Sequence, residues 1–151
     1  GDLKQDLTLL GGASFILGGN ENGGSYKSWL GGADFLLKWK PNRHTMIEWQ
    51  SEYFYQRKES PSGTENLGGF YTYLLGQWTS RWGAGLRLDY LGLPSLSAKT
   101  YRVSPMVVFK PSEFFQVRAQ YDYLKEEGSR TNHAGLLQWI FTMGPHGAHP
   151  F

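Results

Sequence analysis

The stretch GLLQWIFTMGPHGAHPF, residues 135–151, sets Leu137, Trp139, Phe141 and Met143 on alternate positions and then runs through a histidine-bearing tail to Phe151. A period of two puts these four side chains on one face of a β-strand. Bulky apolar groups at every second position need an apolar surrounding on that face. Whether that surrounding is the protein's own interior or hydrocarbon decides the fold.

The same period recurs along nearly the whole chain. It predicts eight strands, roughly at 5–18, 26–40, 44–57, 66–78, 81–92, 99–110, 114–125 and 133–143. Most of these reach about 11 residues, whereas strands of globular proteins average about 5–6 and a tilted membrane-crossing strand needs about 9–11. The connections carry a second signal. KPNRH (40–44), TSR (79–81) and KPSE (110–113) are short. GGNENGGS (18–25), RKESPSGTEN (57–66), GLPSLSA (92–98) and KEEGSRTN (125–132) are longer and polar. Short and long connections therefore alternate, the asymmetry expected of periplasmic turns and extracellular loops. A faint repeat supports hairpin repetition: WKPNRHTMIEWQSEYFYQRKES matches FKPSEFFQVRAQYDYLKEEGSR in its Lys-Pro turn, strand, Tyr pair and charged loop.

Composition narrows the class. The chain has 151 residues, which suits one domain. There are 15 Lys plus Arg against 13 Asp plus Glu, a balance that argues against nucleic-acid binding through phosphate neutralisation. The absence of cysteine excludes disulfides and thiolate metal sites. With 20 glycines and 16% aromatics, the composition points to β-structure. No apolar run is long enough for a transmembrane helix. The opening GDLKQDL has no basic start and no apolar segment, so an exported protein would be seen here in mature or trimmed form.

Volume decides which face points outward. The apolar faces carry Trp29, Ala33, Phe35, Leu37 and Trp39 in the second strand and Ile47, Trp49, Tyr53 and Tyr55 in the third. Later strands present Trp82, Leu86, Leu88 and Tyr90, then Tyr101, Val103, Val107 and Phe109, then Phe115, Val117, Tyr121 and Tyr123. An eight-stranded barrel is only just wide enough for its inward side chains. These faces are too bulky for such an interior and fit against lipid. The fourth strand, LGGFYTYLLGQW, leaves two choices open: Phe70, Leu74 and Trp78 outward, or Tyr71, Tyr73 and Leu75. The expected fold class is thus all-β, an eight-stranded antiparallel up-and-down transmembrane β-barrel over 1–143, with 144–151 as a periplasmic C-terminal tail.

The opposite faces supply lumen-lining charges: Asp34, Lys38, Glu48, Glu52, Arg87, Asp89, Arg102, Arg118 and Asp122. Mixed signs permit an ion-paired interior, which buried charges require. Aromatics gather at two levels. Trp39, Trp78, Trp82, Phe109 and Phe115 lie beside the short turns; Trp29, Tyr55, Tyr90, Tyr101 and Tyr123 lie toward the long loops. Two such girdles mark the two membrane interfaces.

The closing stretch resembles the final strand of a bacterial outer-membrane β-barrel of porin-like type, which alternates apolar residues and ends in Phe. The resemblance implies an outer-membrane location and contact with the lipid bilayer and lipopolysaccharide. It also implies an assembly signal read by the barrel-assembly machinery at Trp139, Phe141 and Phe151. Here GPHGAHP separates Phe151 from the strand, and Pro145 and Pro150 cannot join a ladder. Either Phe141 is the signal aromatic or the tail folds back at the rim. The ending also resembles those of longer porin-like proteins, which leaves a larger barrel open.

Other chemistry has less support in the residues. His146 and His149 are weak metal candidates, supplying too few ligands for a closed site. Lipid-modifying catalysis would need a Ser, a His and a carboxylate in register; His133 with Ser129 and Glu126 or Glu127 is the nearest approach, on a loop. The paired glycines lack the strand–helix context of nucleotide loops. The expectation is therefore a monomeric, non-enzymatic outer-membrane barrel with no cofactor and no nucleic-acid partner. Its lumen would be plugged by salt bridges, or conducting if the barrel is wider.

Overall fold

The computed structural model describes residues 7–21, 23–94, 99–112 and 114–142. They form one sheet of eight antiparallel strands: β1 (Leu7–Asn20), β2 (Gly23–Trp39), β3 (Met46–Ser60), β4 (Gly63–Gln77), β5 (Trp82–Leu93), β6 (Thr100–Ser112), β7 (Phe115–Glu126) and β8 (Asn132–Phe141). Each strand pairs with its neighbours in sequence, so the order in the sheet is the order in the chain. The all-β, eight-stranded, up-and-down class follows from the period-two pattern. No pairing joins β1 to β8 among the described residues, so both are edge strands. The expected tail, with Met143, His146, His149 and Phe151, lies outside the described residues.

The expected contrast between short and long connections is not what the chain uses. Only Pro61 and Ser62 separate β3 from β4, and only residues 21–22 separate β1 from β2. The strands run on through the polar segments instead, with Arg57 opposite Asn66, Lys58 opposite Glu65 and Ser60 opposite Gly63. Backbone groups at a hairpin tip gain more from continuing the ladder than from an irregular loop, whatever the side chains are. Gly63 closes this tip at φ +132°, a conformation open to glycine and strained for other residues. The tips are also tied together. The Asn20 side-chain amide donates to the Glu59 carbonyl at 2.7 Å and to Ser28 Oγ at 3.1 Å. At the other end, Asn42 Oδ1 accepts from the backbone of His44 and Thr45, which fixes the Lys-Pro turn as an Asx-type turn.

Register separates the two faces. Odd positions of β3 align with even positions of β4 and β5 and with odd positions of β6, so Trp49, Leu74, Leu86 and Pro105 share one face. That register resolves β4. Leu74 stands outward and is half exposed, while Leu75 is buried on the opposite face. On the outer face, from β1 through β8 and between the two aromatic levels, there is no Asp, Glu, Lys or Arg.

The other face curls around cavities lined by residues of β3 through β8. Its buried centre is apolar, a feature the reading of the sequence as polar-inside did not anticipate: Leu75, Met106 and Val108 are at most 7% exposed, with Ser104 beside them. Gly85 makes room for this packing. A Cβ there would lie 2.7 Å from the Leu74 carbonyl and 3.3 Å from the Leu75 side chain.

Candidate functional site

The aromatic levels are continuous across strands. At the Lys-Pro-turn end, Trp82 packs on Phe109 with ring centroids 4.4 Å apart, and Phe115 stacks on Phe141 at 4.8 Å. At the opposite end, Trp29 lies between Phe15 and Tyr55, Phe70 stacks on Tyr90, and Tyr101 packs on Tyr123. Trp39 and Trp78 stand exposed at the first level. Polar groups on the outer face satisfy one another. Trp49 Nε1 donates to Thr72 Oγ1 at 2.9 Å, and the Ser51 and Thr72 hydroxyls are 2.7 Å apart. Trp139 and Phe141 are 57% and 64% exposed, so the apolar side of the last strand is open.

The cavity face holds all nine predicted lumen charges, because each lies on the same face of its strand. The register then sorts them by end. Toward the polar hairpin tips, Asp34 is paired in register with Glu52, Tyr71 with Asp89, and Asp89 with Arg102. Asp89 accepts from Arg87 at 2.7 Å and from Arg102 at 3.0 Å. The Arg87 guanidinium also lies 4.4 Å from the Tyr71 ring centroid, and Tyr71 Oη accepts from Gln50 Nε2 at 2.9 Å. Asp122 accepts from Gln120 Nε2 at 2.7 Å. Carboxylates outnumber guanidiniums here: Asp34, Glu52, Asp89 and Asp122, with Glu126 lining the same end, face Arg87 and Arg102.

The Lys-Pro-turn end has the opposite balance. A cavity of about 800 Å³ is lined there by Lys38, Lys40, Arg43, Lys110 and Arg118, with Glu48 as its one carboxylate among the described residues. Lys38 Nζ is 3.6 Å from Glu48 Oε2. Lys110 donates to the neutral Gln77 amide at 3.1 Å. Arg118 Nε is buried with no hydrogen-bond partner. Lys40, Arg43 and Lys110 belong to this site and were missing from the predicted lumen set. The signal was present in the repeat: each Lys-Pro turn plants its lysine at the same end. The mixed signs are thus distributed unevenly, with cations in excess at this end and carboxylates at the other.

The remaining candidates do not converge. His133 points to the outer face, where its Nδ1 meets Tyr121 Oη and its ring packs against Tyr123. Ser129 meets Glu126 through backbone atoms, and no hydrogen bond among the described residues joins either to His133. Among the described residues no group of three or more His, Cys, Asp or Glu is placed to hold a metal.

A protein of Aquifex aeolicus (strain VF5) described as uncharacterized is similar to 97% of this chain at 24% identity, and the chain spans 38% of that relative's length. No protein-family model matches the chain. No solved structure matches it.

Proposed function

We propose that this chain is wall of an integral outer-membrane β-barrel of porin-like type, whose outer face meets lipid and whose cavity face borders an aqueous path for small polar solutes. The observation that carries this reading is the outer face itself. It is free of formal charge between two aromatic levels, while the charges gather on the face behind it. Water would reward the reverse arrangement. Eight residue steps separate Trp82 from Tyr90 on β5, about 27 Å along the strand at ~3.4 Å per residue. At a tilt of ~40° that is about 20 Å along the membrane normal, close to the ~25 Å apolar band of such barrels. The mutual bonding of Trp49, Ser51 and Thr72 also suits a surrounding that offers no hydrogen bonds.

Two observations favour a barrel wider than eight strands over a closed, plugged one. The β1 and β8 edges are unpaired with each other, and their cavity faces expose Leu10, Ile16 and Leu136. A wider barrel accommodates these edges by pairing each with a further strand, which satisfies their backbone groups. The chain's span of 38% of its longer relative is consistent with this. In this reading the protein is passive: it carries no catalytic set and no cofactor, and it inserts through the barrel-assembly machinery.

The test is twofold. Expression in a Gram-negative host should send the protein to the outer-membrane fraction, resistant to extraction at high salt and released by detergent. Reconstitution into planar bilayers should give discrete conductance steps. Recovery as a soluble protein without detergent would overturn the membrane reading; insertion without conductance would return the closed, plugged barrel.

A further inference from the structure

We infer that the basic cavity at the Lys-Pro-turn end is a binding cradle for a phosphate-type oxyanion carried by a small water-soluble solute. Five cations, Lys38, Lys40, Arg43, Lys110 and Arg118, share this cavity with one carboxylate, Glu48. Glu48 lies within ion-pair distance of Lys38 alone among the described residues. The other four therefore have no carboxylate partner among the described residues. Such a grouping is unfavourable by itself. Like charges repel, and a low-dielectric wall strengthens the repulsion. A protein keeps it where an anion completes it.

Three further features point to a ligand rather than to a solvated rim. Arg118 Nε is buried on the cavity face with its donor unused, although guanidinium donors are costly to leave unpaired. Lys110, from β6, is oriented by Gln77 of β4 rather than by an opposite charge. The turn that carries Arg43 is held by the Asn42 side chain, so its cation is positioned before any ligand arrives. Guanidinium forks with ammonium point charges suit a multivalent oxyanion better than a halide, because the fork matches two oxygens at once. The lining is polar and lies behind the apolar outer face, which favours a free solute over a lipid headgroup whose chains would have to thread the same cavity.

The far end of the cavity face gives the internal contrast. There Asp89 already accepts from Nε and Nη2 of Arg87 and from Nε of Arg102. Both guanidiniums at that end already have a carboxylate partner, and the surplus of carboxylates there repels an anion. The cradle depends on cavity geometry and not on the surrounding solvent, so its failure and failure of the membrane reading are separate readouts.

The experiment is titration calorimetry of the full protein folded in neutral detergent, with inorganic phosphate as probe at constant ionic strength and chloride as reference. Folding is checked by circular dichroism and by heat-shifted gel mobility. Phosphate should bind at least about tenfold more tightly than chloride, and Lys110→Gln should weaken it by about tenfold. Lys125→Gln, which removes the same charge at the opposite end, should leave it unchanged. Should Lys110→Gln not fold, Lys40→Gln on the exposed rim carries the same comparison. Equal weakening by the two substitutions, or phosphate binding no tighter than chloride, would overturn the cradle. Dihexanoyl phosphatidic acid is the second arm: binding more than tenfold tighter than inorganic phosphate would overturn the free-solute assignment in favour of a headgroup.

Discussion

Arg87 and Leu88 are adjacent in the chain and stand on opposite faces of the sheet. Arg87 turns to Asp89 and the Tyr71 ring, among half-buried charges. Leu88 turns outward, 38% exposed, in a row with Leu86 and Tyr90. The same opposition holds along β2 through β7. Within the cavity face a second contrast crosses the first: the hairpin-tip end has its cations neutralised by carboxylates, and the Lys-Pro-turn end does not. The first contrast separates an apolar face from a charged one. The second separates a satisfied network from an unsatisfied one. A polar lining alone therefore says little; what matters is whether each charge already has its partner.

The sharpest way to break the first contrast is to put a charge on the outer face. Leu86→Arg, midway between the aromatic levels, should destabilise the protein folded in lipid vesicles by roughly 2–4 kcal/mol. Reversible denaturant unfolding measures it, and an unchanged midpoint would place Leu86 away from hydrocarbon. The second substitution strikes the satisfied end. Asp89→Asn removes the charge that holds Arg87 and Arg102 together, two guanidiniums with no other carboxylate within ion-pair distance among the described residues. The expected loss is roughly 1–2 kcal/mol, moderated by solvent that reaches both arginines. The same assay should show it, and Asp89→Glu should recover part of it.

Gln116→Arg sharpens the contrast from the other side. Gln116 is on the cavity face at the basic end. A new cation there should change stability by less than about 0.5 kcal/mol while increasing anion preference in a reversal-potential measurement across a salt gradient. A large destabilisation instead would mean that the cavity face is not wet. The smallest effect belongs beyond the aromatic levels, at the hairpin tips. Lys58 donates to Glu21 and holds its carboxyl below the ordinary glutamate range, while Glu21 raises the lysine in turn. With a depressed carboxyl, any stability from this pair is present above the ordinary glutamate value and lost as pH falls through the lowered one. Both groups are solvated, so screening should erase the benefit. Glu21→Gln should leave the unfolding midpoint and its pH dependence unchanged.

How much of this was legible in the chain depends on which physical variable each feature obeys. Face assignment was legible wherever one parity is apolar and the other polar, as in WGAGLRLDY of β5. It was illegible in β4, where Leu74 and Leu75 are both apolar and only pairing with Leu86 and Gly85 tells them apart. The buried centre of Leu75, Met106 and Val108 is illegible for the same reason: an apolar residue on a mostly polar face is an exception until its neighbours across three strands are known. Connection lengths were not legible, because polar composition does not end a strand: the ladder continues through Lys58 and Glu59 to Ser60.

By itself the sequence determined the strand number, the direction of alternation and the outward aromatic levels, because these are local. A period of two and a turn residue act within a few positions. Only the tertiary structure decided which charges meet. Lys38 and Lys110 stand 72 positions apart, and the register of the intervening strands brings them to one cavity while delivering Asp89 to Arg102 at the other end. Charge pairing is a property of distance through space, and distance through space is set by the stagger of one strand against the next.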